Sequence, residues 1–304
     1  MFDIQQLYTG IKLGDYRSIA RAITLVENEL SGHNELLLQL SAHTQSKLVG
    51  ITGPPGAGKS TLINAMIRQL LTHNYKVAVL SVDPSSPFNF GALLGDRVRM
   101  SEFFLHPNVY IRSLASRGAL GGLSPKIIEI SEVLKAAPFD YILIETVGVG
   151  QSEVEIAGLA DTTIVVMVPE AGDEVQTMKA GVMEIADIFV VNKSDRAQAE
   201  QFLKNLLLLS HSKNQQWQIP VIKCIATENT GINDILQAID HHHSINNLNL
   251  HRKSFMLTEK IWQLLQNKHM THYNKTEITQ QIQQHLTQHQ FQLFQYVQSI
   301  YKAY

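Results

Sequence analysis

The sequence has one cysteine, a net charge close to zero and no long apolar run. The single cysteine, Cys224, cannot form an internal disulfide, and its place in the apolar run IPVIKCIA predicts a buried core residue rather than a nucleophile. A formal net charge of −2 excludes a broad basic surface for nucleic acid, so any phosphate would bind at a local site. No apolar run reaches the length of a membrane span, and the opening residues MFDIQQLYTG lack the pattern of a signal peptide. We therefore expect a cytoplasmic protein that contacts neither nucleic acid nor membrane.

Apolar residues, in contrast, are plentiful. They make up 44% of the 304 residues, against 17% charged residues, which is typical of a folded globular protein with a substantial core. Within residues 1–46, Ile19, Ile23 and Val26 recur at spacings of three and four and so mark one buried face of a helix. Residues 1–46 are therefore predicted to form a helical N-terminal extension.

From Lys47 onward the pattern changes to short apolar runs that end in turn residues. Their near-continuous apolar character is typical of parallel strands covered on both faces, with helices such as TLINAMIRQLL between some of them. The sequence therefore predicts a doubly wound α/β domain with a mostly parallel sheet over residues 47–245. The predicted strands are KLVGIT, KVAVLSVD, NVYIRSL, YILIET, TTIVVMV, DIFVVNK and IPVIKCIA.

Residues 246–304 form a third segment, which is rich in glutamine and histidine. The run NKTEITQQIQQHLTQHQ predicts a helix with Asn274 as its N-cap. The Glu277 side chain would reach back to the backbone N–H of this cap. A narrow apolar stripe on this helix would pack against another subunit, as a dimerisation arm, or against its own domain, and both alternatives stay open. The stripe consists of Ile278, Ile282 and Leu286.

Three consecutive histidines, His241, His242 and His243, raise the question of a metal site. Consecutive residues of a helix point about 100° apart and cannot share one face. Because metal ligands must converge, we do not expect a native metal site in this run.

The stretch GITGPPGAGKST, residues 50–61, follows an apolar strand and precedes a predicted helix. From Gly53 to Ser60 it matches G-x-x-x-x-G-K-[ST], the P-loop pattern. Its glycines allow backbone N–H groups to surround phosphate oxygens, Lys59 reaches the β and γ phosphates, and the Ser60 hydroxyl can ligate Mg²⁺. The predicted nucleotide-binding residues of this loop are Gly53, Pro54, Pro55, Gly56, Ala57, Gly58, Lys59, Ser60 and Thr61.

The run DIFVVNKSD ends an apolar strand with the arrangement N-K-x-D. A carboxylate at Asp195 can accept from both N1–H and the 2-amino group of guanine, whereas adenine offers neither donor there. Lys193 can lie over the base and Asn192 can brace the loop. Open α/β sheets bind ligands at the carboxyl ends of their strands, so this pattern downstream of a P-loop indicates guanine recognition. After the next strand, the backbone near Ala226 and Thr227 is expected to contact the guanine oxygen.

Acidic residues at strand ends complete the predicted site. Glu145 ends the run YILIE, where a carboxylate can hold Mg²⁺ directly or through water, and the backbone N–H of Gly148 can sense the γ phosphate. Asp83 and Asp96 are further candidates, each with a helix cap or a surface charge as the alternative. Val149 stands where many small GTPases place a water-orienting glutamine, so we expect slow unassisted hydrolysis. The residues expected to carry catalysis are Lys59, Asp83, Asp96, Glu145 and Gly148.

Several longer strings lie within roughly residues 8–240. They include GDYRSIARAITLVE, GPPGAGKSTLINAM, VDPSSPF, LLGDRVRM, SRGALGGLS, ETVGVGQSE and GDEVQTMKAGVMEIADIFVVNKSD. These strings resemble the MeaB/ArgK GTPases, chaperones associated with methylmalonyl-CoA mutase. The resemblance implies a G domain of the signal-recognition-particle type with helical extensions at both ends, a homodimer, and GTP-gated protection and cofactor loading of an adenosylcobalamin-dependent acyl-CoA mutase.

For individual residues, the resemblance implies Mg²⁺ and switch roles for Ser60, Asp83, Asp96 and Glu145. It also implies a partner-sensing loop at EAGDEVQTMKAG, whose matching positions are Asp173, Glu174, Gln176 and Lys179. This sequence departs from the family pattern at Asn89 and Phe90, where a smaller, glycine-containing pair is usual, and in its glutamine-rich C-terminus.

Two alternatives to a mutase chaperone remain open from the sequence. One is a metallochaperone GTPase of the same fold class, which would need a cysteine and histidine site near the switches. The other is a nucleotide-binding regulator without significant turnover, in which the nucleotide sets only the oligomeric state. The mutase that such a chaperone would serve is also left open.

Overall fold

In the computed structural model, the described residues are 3–41, 45–83, 100–115, 123–146, 152–171, 185–210, 217–248, 250–270, 273, 275–287 and 293–300. The chain divides into two compact units, residues 1–256 and residues 257–304. The predicted division into segments 1–46, 47–245 and 246–304 stays a prediction.

A seven-stranded sheet forms the centre of the first unit, and all its neighbouring strands pair in parallel. Along the sheet the order is β3-β2-β4-β1-β5-β6-β7. The predicted α/β fold with a parallel sheet is therefore confirmed, and each predicted apolar run overlaps one strand. The strands are β1 Lys47–Thr52, β2 Val77–Asp83, β3 Val109–Ala115, β4 Tyr141–Glu145, β5 Thr162–Met167, β6 Ile188–Val191 and β7 Val221–Lys223.

Helices connect and cover these strands. Of the α-helices in the described ranges, eight lie wholly in the first unit and two wholly in the second, while α9 crosses the division between the units. They are α1 Ile4–Leu13, α2 Tyr16–Glu27, α3 His33–Gln39, α4 Lys59–Thr72, α5 Ile127–Lys135, α6 Ser152–Leu159, α7 Ala199–Ser210, α8 Ile232–Leu248, α9 Leu250–Met270, α10 Lys275–Thr287 and α11 Leu293–Ile300. None of the helices in these ranges is long and apolar enough to cross a membrane.

The N-terminal helices follow the predicted pattern. Ile19, Ile23 and Val26 are buried on one face of α2, which confirms the predicted helix and its buried face. The Asp15 side chain caps this helix by accepting from the Ser18 backbone N–H at 2.9 Å, because the first N–H groups of a helix lack backbone partners.

One face of the sheet packs against α4 and α8. Residues of β1, β2, β4 and both helices form a single buried apolar cluster, in which Val79, Leu143 and Ile51 are fully buried. Cys224 belongs to the same cluster, so its predicted role in the core is confirmed. Burial raises the pKa of its thiol to about 12.

In the second unit, α10 confirms the helix predicted from the run that begins at Asn274, although Asn274 itself lies outside the described residues. The Tyr296 hydroxyl of α11 donates to Gln281 Oε1 of α10 at 2.7 Å. This hydrogen bond joins the last two described helices of the chain.

Candidate nucleotide-binding site

The loop between β1 and α4 has the backbone that its glycines predict. Gly53, Gly56 and Gly58 have φ angles of 141°, 77° and 88°, a region that residues with a Cβ rarely adopt. At Gly53 a Cβ would also overlap the carbonyl of Val166 on β5. The P-loop pattern is therefore met by the conformation of the loop as well as by its sequence.

Lys59 begins α4 and is buried, with 7% of its surface exposed. Its Nζ donates to the carbonyl of Gly53 at 2.8 Å and to that of Pro54 at 3.2 Å, so the ammonium lies across the loop. Gly58 is the N-cap residue of this helix and has a left-handed backbone conformation, and no side chain caps the helix there. A helix N-terminus and a buried cation that face one loop form a site suited to an anion.

Ser60 and Glu145 meet at the carboxyl edge of the sheet. The Ser60 hydroxyl donates to Glu145 Oε1 at 2.7 Å, and both side chains are buried. Glu145 ends β4, where it is paired in register with Ile51 of β1, the strand that leads into the loop. Tertiary structure therefore brings together two residues that belong to separate motifs, 85 positions apart in the sequence.

A pair of buried threonines lies beside this contact, and the sequence analysis did not single them out. The Thr146 hydroxyl donates to the Thr52 hydroxyl at 2.9 Å, and the Thr146 backbone N–H donates to the Ile51 carbonyl at 3.1 Å. Thr52 is the last residue of β1 and Thr146 directly follows β4. A threonine at the end of an apolar strand is too common to identify such a pair from sequence alone.

Asn192 follows β6 and is almost fully buried. Its Nδ2 donates to the Ala57 carbonyl of the P-loop at 2.9 Å, while its Oδ1 accepts from the Ala226 backbone N–H at 3.2 Å. The side chain thus connects the P-loop with the turn after β7, Ala226–Glu228, which contains Thr227. This contact is the brace that the N-K-x-D pattern predicts.

Lys193 and Asp195 lie on the solvent side of the same loop. Lys193 has a φ of 56°, and its Nζ donates to the Gly56 carbonyl at 2.8 Å. Asp195 is exposed. Between them, the Ser194 backbone N–H and hydroxyl donate to the Cys224 carbonyl at 3.1 and 3.0 Å, which fixes the loop against the end of β7.

Other predicted residues cannot be placed. The side chain of Asp83 is not among those described, although its backbone ends β2. The remaining ones lie outside the described residues: Asn89, Phe90, Asp96, Gly148, Val149, Asp173, Glu174, Gln176 and Lys179.

The three consecutive histidines of α8 have different surroundings. His242 is buried, with Nδ1 2.8 Å from the Thr162 hydroxyl, and its ring centroid lies 4.7 Å from that of Trp217. His241 is exposed beside the same tryptophan, and burial lowers the pKa of His243. In the part of the chain that the structure describes, no three His, Cys, Asp or Glu side chains converge as metal ligands.

A P-loop between a parallel strand and a helix, with polar residues gathered at the carboxyl ends of β1, β4 and β6, defines the class of P-loop nucleotide-binding folds. Within this class, the sequence of residues 19–280 matches the family described as methylmalonyl Co-A mutase-associated GTPase MeaB. The chain belongs to this family, as the resemblance implied.

Individual relatives agree with this assignment. The chain is 48% identical over 245 residues to a Pyrococcus abyssi protein whose name places it among GTPases, with 79% of this chain and 76% of that protein covered. It is 39% identical over 240 residues to GTPase ArgK of Escherichia coli K12, covering 75% and 72%. A solved structure described as the LAO/AO transport system kinase superposes with a TM-score of 0.69 at 25% identity, covering 99% of this chain and 97% of that one.

Proposed function

We propose that this chain is a Mg²⁺-dependent GTPase that acts as a chaperone for an adenosylcobalamin-dependent acyl-CoA mutase of the methylmalonyl-CoA mutase type. In this proposal it protects the mutase and gates the loading of its cofactor. Membership of the mutase-associated family supports the choice of partner. The contact between Ser60 and Glu145 at the P-loop is the observation that carries the proposed chemistry.

The proposed nucleotide lies along the carboxyl edge of the sheet. Backbone N–H groups of residues 56–61 surround its phosphates, because Pro54 and Pro55 have no N–H to donate. The Lys59 ammonium exchanges the Gly53 and Pro54 carbonyls for phosphate oxygens. Asp195 accepts from guanine and Lys193 covers the base. Because Asn192 already occupies the Ala226 N–H, we assign the contact with the guanine oxygen to the neighbouring Thr227 backbone.

The donor set at this edge fits Mg²⁺. Hydroxyl and carboxylate oxygens are ligands that this cation prefers. Ser60 and Glu145 present one of each, and the Ser60 hydroxyl lies 2.7 Å from Glu145 Oε1. Ser60 and Glu145 would hold this cation, which would supply positive charge against the charge that develops on the phosphates during transfer. Asp83 and Asp96 are proposed as further acidic residues of the metal and switch region, and Gly148 as the γ-phosphate sensor.

The chain's own residues then position and shield the phosphates. Lys59, which is itself buried, neutralises phosphate oxygens, while Asn192 holds the P-loop and the loop after β6 together. With Val149 after Gly148, the proposal includes slow hydrolysis until a partner completes the site. The loop with Asp173 and Lys179 is proposed to transmit the contact with the mutase.

A homodimer is part of the proposal, and the second unit offers an apolar surface for it. Leu257, Ile261 and Leu265 recur every four residues along α9 and are each at least 50% exposed. Residues four apart lie on one face of a helix, so these three form a continuous stripe.

The test is GTP hydrolysis measured with and without a candidate acyl-CoA mutase. Stimulation by the mutase is expected, by a factor of ~10³ or more if the partner stabilises transition-state charge as a supplied arginine does. Replacing Asp173 and Lys179 by alanine should abolish this stimulation while leaving intrinsic hydrolysis and GDP affinity nearly unchanged.

Three other outcomes would contradict parts of the proposal. Binding without turnover in the presence of the mutase would favour a nucleotide-binding regulator. Stimulation by a nickel enzyme instead of a mutase would favour a metallochaperone. Equal loss of basal and stimulated rates in the Asp173 and Lys179 variant would place these residues in the basic hydrolytic machinery.

A further inference from the structure

Ser81, near the end of β2, is 1% exposed. Its hydroxyl has no hydrogen-bond partner among the residues that the structure describes. Leaving a buried hydroxyl unsatisfied costs free energy comparable with a lost hydrogen bond, so such a group in a native core requires an explanation. The sequence analysis attached no role to this residue.

The sheet places Ser81 directly beside the carboxylate of the candidate site. Ser81 of β2 and Glu145 of β4 are register partners in adjacent parallel strands, whose spacing is about 4.8 Å. Alternation along a strand puts Ser81 on the same face as Val77 and Val79, and Glu145 on the same face as Leu143.

These apolar residues belong to the one cluster that α4 covers. Ser81 therefore lies on the face from which the Ser60 hydroxyl approaches Glu145. Both neighbours in the register, Glu145 of β4 and Ser113 of β3, are polar, so this is the point where the apolar core ends and the candidate site begins.

A protein oxygen at this position can act on Mg²⁺ without touching it. Mg²⁺ dehydrates reluctantly and keeps several water ligands when a protein and phosphates bind it. Those waters need hydrogen-bond acceptors and donors in the surrounding protein, and such outer partners affect metal affinity strongly.

We propose that the Ser81 hydroxyl binds a water ligand of the nucleotide-associated Mg²⁺, beside Glu145 and Ser60. Ser81 is thus a positioning residue for the metal, and this inference rests on the proposed function of the site. It assigns to β2 a part in metal binding that does not depend on the Asp83 side chain.

The test compares Ser81→Ala with the parent in the 304-residue chain. Binding of a fluorescent, non-hydrolysable GTP analogue is measured over a range of free Mg²⁺, including excess EDTA. The Ser81→Ala variant should need ~10-fold more free Mg²⁺ to reach the strong binding state, as is typical when an outer partner of a metal is lost. In EDTA its affinity for the analogue should equal the parent's.

The melting temperature of the metal-free protein gives an independent readout. Ser81→Ala removes a hydroxyl that has no described partner, so its melting temperature should be at least as high as the parent's. Ser131→Ala is the matched control, since Ser131 is also buried but donates to the Ile128 carbonyl at 2.7 Å in α5. It should lower the melting temperature and leave the Mg²⁺ requirement unchanged.

An unchanged Mg²⁺ requirement in Ser81→Ala would overturn the inference and leave the proposed function intact. A variant that loses stability and analogue affinity equally with and without Mg²⁺ would show a purely structural hydroxyl and would also overturn it. If the parent itself binds the analogue with no dependence on Mg²⁺, both the inference and the Mg²⁺-dependent function are wrong.

Discussion

The Asn192 side chain and the Ala57 carbonyl are joined by a hydrogen bond of 2.9 Å although 135 residues separate them. The same side chain accepts from the Ala226 N–H, so one buried amide holds three loops of the site. Gly58 lies against Asn192 Nδ2 so closely that a Cβ at position 58 would overlap it. The P-loop and the loop after β6 are thus held together by contacts within the protein itself.

This packing predicts different effects for two alanine substitutions. Gly56 and Gly58 have similar positive φ angles, so both variants carry the same backbone strain of ~1–2 kcal/mol. A Cβ at Gly56 meets nothing within 4 Å, whereas one at Gly58 must displace Asn192 and break its two hydrogen bonds. Gly58→Ala should therefore lose ~1–3 kcal/mol more free energy of unfolding than Gly56→Ala.

Urea unfolding of the nucleotide-free protein measures this difference. Combining Gly58→Ala with Asn192→Ala should cost less than the sum of the single changes, because the overlap disappears with the amide. Equal stability of the two glycine variants would show that the close contact is not formed in solution.

A second prediction concerns Lys59. Its ammonium is buried and would neutralise phosphate oxygens, with charged hydrogen bonds worth ~1.5–3 kcal/mol each. Lys59→Ala should therefore reduce GDP affinity severely while the fold survives. Calorimetry checks this, with Lys76→Ala, an exposed lysine before β2, as the control for lost charge. GDP binding within a factor of about three of the parent would contradict the P-loop assignment, since the charged contacts would then contribute almost nothing.

Base choice is tested at Asp195. Asp195→Asn replaces one acceptor by a donor, which mismatches guanine but matches xanthine, a base with a carbonyl at C2. Discrimination for guanine should fall by ~10² or more, because the mismatch leaves polar groups of the bound base unpaired. Competition between GTP and xanthosine triphosphate measures the change, with Asp234→Asn on the exposed surface of α8 as the control. A variant that retains full preference for GTP would exclude Asp195 from the base site.

The raised pKa of Cys224 predicts how the protein responds to alkaline pH. Burial holds the pKa of the thiol at about 12, against about 8.5 in an unfolded chain. The folded state therefore binds this proton more tightly than the unfolded state. The resulting stability is complete below pH ~8.5 and is lost as pH rises from there toward 12.

Thiol-reactive dye should accordingly react slowly with the native protein at pH 8 and rapidly in denaturant. In Cys224→Ala the free energy of unfolding should fall less steeply between pH 9 and 11 than in the parent. Rapid labelling of the native protein at pH 8 would show that the thiol is accessible and ionised.

Much of this fold was predictable because the information is local. The P-loop depends on residues within one short segment, where glycine spacing and a following lysine dictate the backbone conformation. Each strand was marked by its own apolar run, since a strand covered on both faces has few positions for polar side chains. The N-K-x-D pattern predicted that Asn192 braces the loop, but it did not predict the two backbone groups that the Asn192 side chain contacts.

Tertiary structure alone decided which of these segments meet. The strand order β2-β4-β1 places Ser81 of β2 beside Glu145 of β4, and α4, which follows β1, brings Ser60 to the same carboxylate. This strand order cannot be read from the spacing of residues in the sequence. Consecutive parallel strands are connected by helical crossovers of different lengths. The register between two such strands therefore depends on the packing of the whole sheet and not on a local sequence pattern. For this reason the P-loop was predictable from the sequence, whereas only the fold could show that Ser81 of β2 stands beside Glu145 at the edge of the candidate site.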